Sequence, residues 1–200
     1  MKFSIFASVS GSLVALVFSP FLVAKSPAKA LPGQTFQQAQ QMVQGSRLFQ
    51  GMSIFEEDSE YFPGYYTVSR SFDGGEAVLY VLGEGNTVGS ETLQFRYPNS
   101  RISFDRESEN GLLLIASLWG EDIAQDYANS RYTDEIQGGL GINHYYLGER
   151  YGYRRSTHTD SYSGGSIYDF TVMDFSNWEE SRSGDRFCLA NPNANECLGL

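Results

Sequence analysis

An α+β fold built around one largely antiparallel sheet is what this 200-residue sequence predicts. Three observations carry that prediction. Short runs rich in Tyr, Val, Phe and Thr recur between Gly-containing turns, the pattern of strands joined by hairpins. Two stretches space their apolar residues as a helix face does. Without its first 30 residues the chain has 170, the length of one domain, and such a domain buries roughly 70% of its unfolded surface.

Residues 1–30 are set apart as a cleaved signal peptide. Lys2 supplies a short positive start, Phe3 to Ala24 an interrupted apolar stretch, and Ala28-Lys29-Ala30 an A-x-A site with cleavage between Ala30 and Leu31. No Cys lies near that site to carry a lipid, since the first is Cys188. No later segment has the ~20 apolar residues of a membrane helix. The expectation is a soluble, exported protein, periplasmic or extracellular, with no membrane insertion after cleavage. All three lysines leave with the signal, so residues 31–200 carry 11 Arg against 24 Asp and Glu, a formal charge of −13. An acidic chain of this kind is unsuited to nucleic acid or to an anionic membrane surface.

Residues 31–176 are expected to form the domain. Gln34 to Phe49 predicts a helix, with Phe36, Ala39, Met42 and Val43 on one face and Gly45 and Ser46 expected to fray or end it. The acidic run Glu56 to Glu60 lacks the spacing of a calcium loop and is expected to be solvated. Tyr65–Phe72, Glu76–Leu82 and Glu91–Tyr97 predict strands. Arg101–Glu107 and Leu112–Leu118 are expected to pair as a hairpin across Asn110-Gly111, a dipeptide suited to two-residue turns. The leucines of the second run, good helix formers, argue mildly against this. A helix follows Gly120: Ile123, Ala124, Tyr127 and Ala128 share one face, Glu121 and Asp122 sit in its first turn and Arg131 in its last.

Beyond the flexible stretch at Gln137 to Gly141, strands are expected at Asn143–Leu147, Glu149–Thr157 and Ser166–Asp174. The total is about seven strands and two helices. A faint echo pairs Arg70-Ser71, Gly74-Gly75 and Tyr80-Val81 with Arg155-Ser156, Gly164-Gly165, Phe170 and Val172, which would make the two halves a pseudo-repeat. Residues 177–200 read as a polar, turn-rich tail. Cys188 and Cys197, the only cysteines, are expected to form a disulfide there. A zinc site would need two further ligands, and no His lies near in sequence.

Motifs for chemistry are few. The G-x-S-x-G, G-x-x-x-x-G-K-[ST] and G-x-G-x-x-G patterns are all absent, and no metal or cofactor is expected. His144 and His158 stand on Tyr-rich strands. Asp122 and Asp126 lie at i and i+4, about 5–6 Å apart at Cβ, and in a cleft could act as acid and base. The thirteen tyrosines offer faces with polar tips, among them Tyr145, Tyr151 and Tyr153, and Arg131 could hold an anion or a partner carboxylate. The sequence thus favours a non-enzymatic module binding an unknown protein or small ligand through a Tyr-rich sheet face. The alternative is a small secreted hydrolase acting on glycan or peptide through those carboxylates or histidines.

Overall fold

The computed structural model describes residues 31–56, 65–72, 75–96, 104, 106–137, 141–160, 164–191, 194 and 197. The predicted signal peptide and Ala30 lie outside the described residues, while Leu31 is buried in the main core. The class is α+β: among the described residues there are one antiparallel eight-stranded sheet and four helices.

The elements in chain order are α1 (Phe36–Gly45), β1 (Phe55–Glu56), β2 (Tyr65–Phe72), β3 (Gly75–Glu84) and β4 (Thr87–Arg96). Then come α2 (Glu109–Trp119), α3 (Glu121–Asn129), β5 (Arg131–Gln137), β6 (Gly141–Leu147), β7 (Gly152–Thr159), β8 (Ser166–Met173) and α4 (Phe175–Ala190). The sheet order is β1-β2-β3-β4-β8-β7-β6-β5. Two four-stranded meanders therefore meet where β4 pairs with β8, and helices precede each of them.

That symmetry matches β2 and β3 with β6 and β7. The sequence echo instead aligned Arg70 on β2 with Arg155 on β7, and Tyr80 on β3 with Phe170 on β8. It falls on hairpins that the topology does not equate, so it is no signature of a repeat.

Several expectations are corrected. Leu112–Leu118 is not a strand, and Asn110-Gly111 is not a hairpin turn. The Ser108 hydroxyl accepts the Gly111 amide at 3.3 Å, which caps α2, and Gly111, Ile115, Leu118 and Trp119 form its buried stripe. Leucine's helix propensity and this i, i+4, i+7, i+8 spacing outweigh the turn dipeptide. Of the proposed partner strand, residues 101–103 and 105 lie outside the described residues, and Arg106 and Glu107 form a turn. Gly120 adopts φ 99°, open to glycine and costly for other residues, and this bend separates α2 from α3. Arg131 opens β5, an edge strand, instead of closing the helix.

The predicted first helix starts at Phe36 and ends at Gly45, with Ser46 as its C-cap, where the sequence expects it to end. Thr35 and Gln38 form a reciprocal capping box at its start. The strand expected at Glu149–Thr157 begins at Gly152, because residues 148–151 make the turn from β6. The polar tail is largely α4, whose cap is Asp174, its carboxylate accepting the Asn177 amide at 2.8 Å. Cys188 and Cys197 are joined by a disulfide with a Cα separation of 5.4 Å. Closing so short a loop contributes roughly 2–3 kcal/mol.

Alternation along the strands gives the sheet two different faces. On one, Val68, Ala77, Leu79, Val81, Leu93, Phe95, Tyr153, Phe170 and Val172 meet α1, α2 and α3 in the main core. On the other, α4 lies across the β5–β8 half. Its attachment is mostly polar: Trp178 is its one buried residue, seated with Ile136, Tyr145 and Met173. Among the described residues, three N–H donors buried in this region have no partner: Arg154 Nε, Trp178 Nε1 and Arg182 Nε. Each costs about 1–3 kcal/mol, so the contacts that hold α4 are offset by donors its docking leaves unpaired.

Candidate binding site

The face opposite α1–α3 carries a band of polar side chains where an apolar layer could have been. β4 contributes Thr92, Gln94 and Arg96, alternating with the buried Glu91 and the core residues Leu93 and Phe95. β3 adds Tyr80, β8 adds Asp169 and Thr171, and β7 adds Arg154, Ser156 and His158. The pairings Gln94↔Asp169 and Asp169↔Ser156 place these groups side by side.

They are wired together. The Tyr80 hydroxyl donates to Gln94 Oε1 at 3.1 Å, and Arg96 donates both to that oxygen and to the Tyr80 hydroxyl. Gln94 in turn bonds the Asp169 carboxylate. Thr92 and Thr171 share a hydrogen bond of 2.9 Å. His158 Nδ1 stands 3.7 Å from Asp169 Oδ2, and Arg96 stands 3.7 Å from Glu76. Tyr80 also stacks on Tyr65 with ring centroids 5.6 Å apart.

Asp169 is the buried centre. Its side chain is 9% exposed, against 29% for His158 and 38% for Arg96 at the accessible rim. Burial raises its pKa above the usual carboxylate range, although Gln94, His158, Arg154 and Arg96 all pull the other way. One oxygen, Oδ1, has no hydrogen-bond partner among the described residues. Burying an incompletely paired carboxylate costs stability, and such placements concentrate at functional sites. The two arginines, Arg96 and Arg154, stand against the two carboxyl groups of Asp169 and Glu76.

The residues singled out from sequence are placed elsewhere. Tyr145 and Tyr153 are fully buried and line no surface, because each packs beneath a helix: Tyr145 against Trp178 of α4 and Tyr153 against Tyr127 of α3. Burial pushes the Tyr145 hydroxyl up to about 12. Tyr151 is half-buried against the main core, and Arg131 is exposed at the sheet edge. Among the described residues, Tyr65 and Tyr80 are the tyrosines that flank the polar band.

Asp122 and Asp126 fasten a turn. Asp126 accepts the Glu149 amide at 2.9 Å, the Arg150 amide at 3.5 Å and the Tyr153 hydroxyl, while Asp122 pairs with Arg150 at 3.0 Å. Asp126→Ala is expected to lower stability by about 1–3 kcal/mol, since it orphans the buried Tyr153 hydroxyl. Urea unfolding measures this, and an unchanged midpoint would mean that water replaces the carboxylate.

His144 and His158 point to opposite faces of the sheet. His144 is opposite Arg155, three residues from His158 on β7, and an odd spacing along a strand reverses the face. His144 lies 3.6 Å from Glu135, away from the polar band. Among the described residues no three His, Cys, Asp or Glu gather as metal ligands would. Comparison with protein-family models, curated proteins and solved structures finds no match. The reading therefore rests on this chain's own chemistry. Thr92-Leu93-Gln94-Phe95-Arg96 was legible as a half-buried strand. What its polar side would meet depended on the β4–β8 pairing, across a separation that local pattern does not encode.

Proposed function

We propose that this protein is a non-enzymatic binding module that takes a small, neutral, hydroxyl-rich ligand of the saccharide class on the Tyr80–Arg96–Gln94–Asp169–His158 band. The carrying observation is the buried Asp169 carboxylate, which holds Gln94 beneath the accessible rim and stands beside His158 within it. Hydroxyls both donate and accept, matching a rim that mixes Arg96, Glu76, His158 and Tyr80. The internal charge balance favours a neutral ligand, since an anion would face Asp169 and Glu76 and a cation would face the two arginines. The Tyr65–Tyr80 stack supplies an amphipathic ring edge of the kind binding surfaces use.

An exported setting fits the leader-like start and the Cys188–Cys197 disulfide, which an oxidising compartment maintains. A hydrolase built on Asp122, Asp126, His144 or His158 has less support: the two aspartates hold a turn, and the two histidines face apart.

The test is NMR titration of the chain recovered from its host's exported fraction, with an N-terminus expected at Leu31. Neutral mono- and oligosaccharides should shift the His158 and Tyr80 resonances. Asp169→Asn should weaken that binding at least ~10-fold while leaving thermal stability equal or higher, because a buried charge is removed. No shift at millimolar saccharide would sink the ligand class. Equal binding by the variant would sink the role of Asp169. A chain that still begins at Met1 would remove the exported setting.

A further inference from the structure

The band continues beneath α4. Arg154, adjacent to Asp169 in charge and position, donates to Ser181 Oγ at 3.2 Å. Tyr145 donates to Asp185 at 2.8 Å and shares a 3.0 Å bond with Ser181, and Asn143 also donates to Asp185. At the sheet edge Asp134 takes Arg182 at 2.7 Å and also Arg186. Burial tends to raise the Asp134 pKa, but the bonds from these two arginines outweigh it and hold the carboxyl below its usual range.

We propose that α4 is a releasable strap, held by this polar latch, whose departure lengthens the binding band by Arg154, Tyr145 and Asn143. The proposal rests on the binding reading for its consequence, but the motion can be tested without any ligand. Four features support it. Trp178 is the helix's single buried residue, and the Arg182 guanidinium lies 4.9 Å over its ring. The seat under that ring is a notch made by Gly152, where a Cβ would come within 2.2 Å of the indole. Arg154 Nε, Trp178 Nε1 and Arg182 Nε have no partner among the described residues in the docked state, and release would give them water. The first turn is anchored separately, because Asn177 Nδ2 donates to Gly89 O at 3.2 Å and the Asp174 amide donates to the same oxygen at 3.3 Å. Asp174 therefore serves as the pivot, and the three following turns as the moving part. A lone helix of this length is marginal in water, so release would also loosen its own hydrogen bonds.

Hydrogen exchange of the full chain reads the motion, and hydroxyl-radical footprinting at Tyr145 reads the uncovering. Asp134→Asn cuts both latch arginines while leaving the seat intact. Gly152→Ala fills the seat and leaves the latch intact. Either variant should speed exchange over residues 178–190 at least ~10-fold and raise Tyr145 labelling, with α2 and α3 unchanged. If one variant fails to fold, the other decides. A rise spread evenly over the whole chain, or no rise in α4, would overturn the proposal and make α4 an integral layer of the fold. Neither result depends on whether a saccharide binds, so failure of the strap and failure of the ligand class remain distinguishable.

Discussion

Glu91→Gln is expected to abolish most of a stability loss that the natural chain undergoes between acid and mildly alkaline pH. Glu91 points from β4 into the main core and is fully buried. The Trp119 indole N–H donates to one carboxyl oxygen, and the other has no partner among the described residues. Burial lifts the pKa from 4.5 to about 8, and the Trp119 bond opposes that only in part. The folded state therefore keeps a proton that the unfolded chain releases. The stability this confers is complete below the unfolded value of 4.5 and declines as pH rises, until the folded group ionises near 8. At about 1.4 kcal/mol for each factor of ten in proton affinity, the loss across that window is on the order of 5 kcal/mol.

Glutamine has nearly the same shape, can accept from Trp119 and does not titrate. Urea unfolding at about pH 5, 7 and 9 should show a steep decline for the natural chain and a shallow one for the variant. A smaller slope persists because Asp169 is also raised by burial and acts in the same direction. Asp134, which is lowered, loses its contribution only at more acid pH. Equal slopes in both proteins would show that Glu91 ionises in contact with water.

Phe170→Ala is expected to cost about 3–5 kcal/mol, the range for removing a fully buried phenylalanine ring. Phe170 is the hub of the aromatic core. Its ring centroid lies 4.7 Å from Tyr127, 5.6 Å from Phe104, 5.7 Å from Trp119 and 5.8 Å from Tyr153. These partners come from α2, α3, β7 and the segment before α2, so a cavity at Phe170 loosens helix layer and sheet together. Phe187→Ala, on the exposed side of α4, should change stability by less than about 0.5 kcal/mol. A loss below about 1.5 kcal/mol at Phe170 would mean that the rings around it close over the space.

Local pattern determined much of this fold. The strand-forming residues of Tyr65–Phe72, the alternating Tyr168, Phe170 and Val172, and the apolar face of Phe36, Ala39, Met42 and Val43 are short-range properties, and each appears as an element close to its expected place. The two cysteines of the C-terminal segment likewise left one simple partnership. Leu112–Leu118 was ambiguous because an apolar run has no periodicity of its own, and the cap at Ser108 resolved it. The helix at Phe175–Ala190 leaves no periodic mark in the sequence because its polar face docks on polar groups, so the usual apolar stripe is missing. β5 was hidden for a related reason: Arg131, Asp134 and Glu135 belong to an edge strand with little to bury.

Only tertiary structure decided which tyrosines face solvent and which carboxylates are functional candidates. Asp122 and Asp126 stood out by spacing yet hold a turn. Asp169 was one of several acidic residues until β4, β7 and β8 came together around it. Strand pairing over a long sequence separation sets the dielectric and the partners of each ionisable group, and those two quantities turn a residue type into a site.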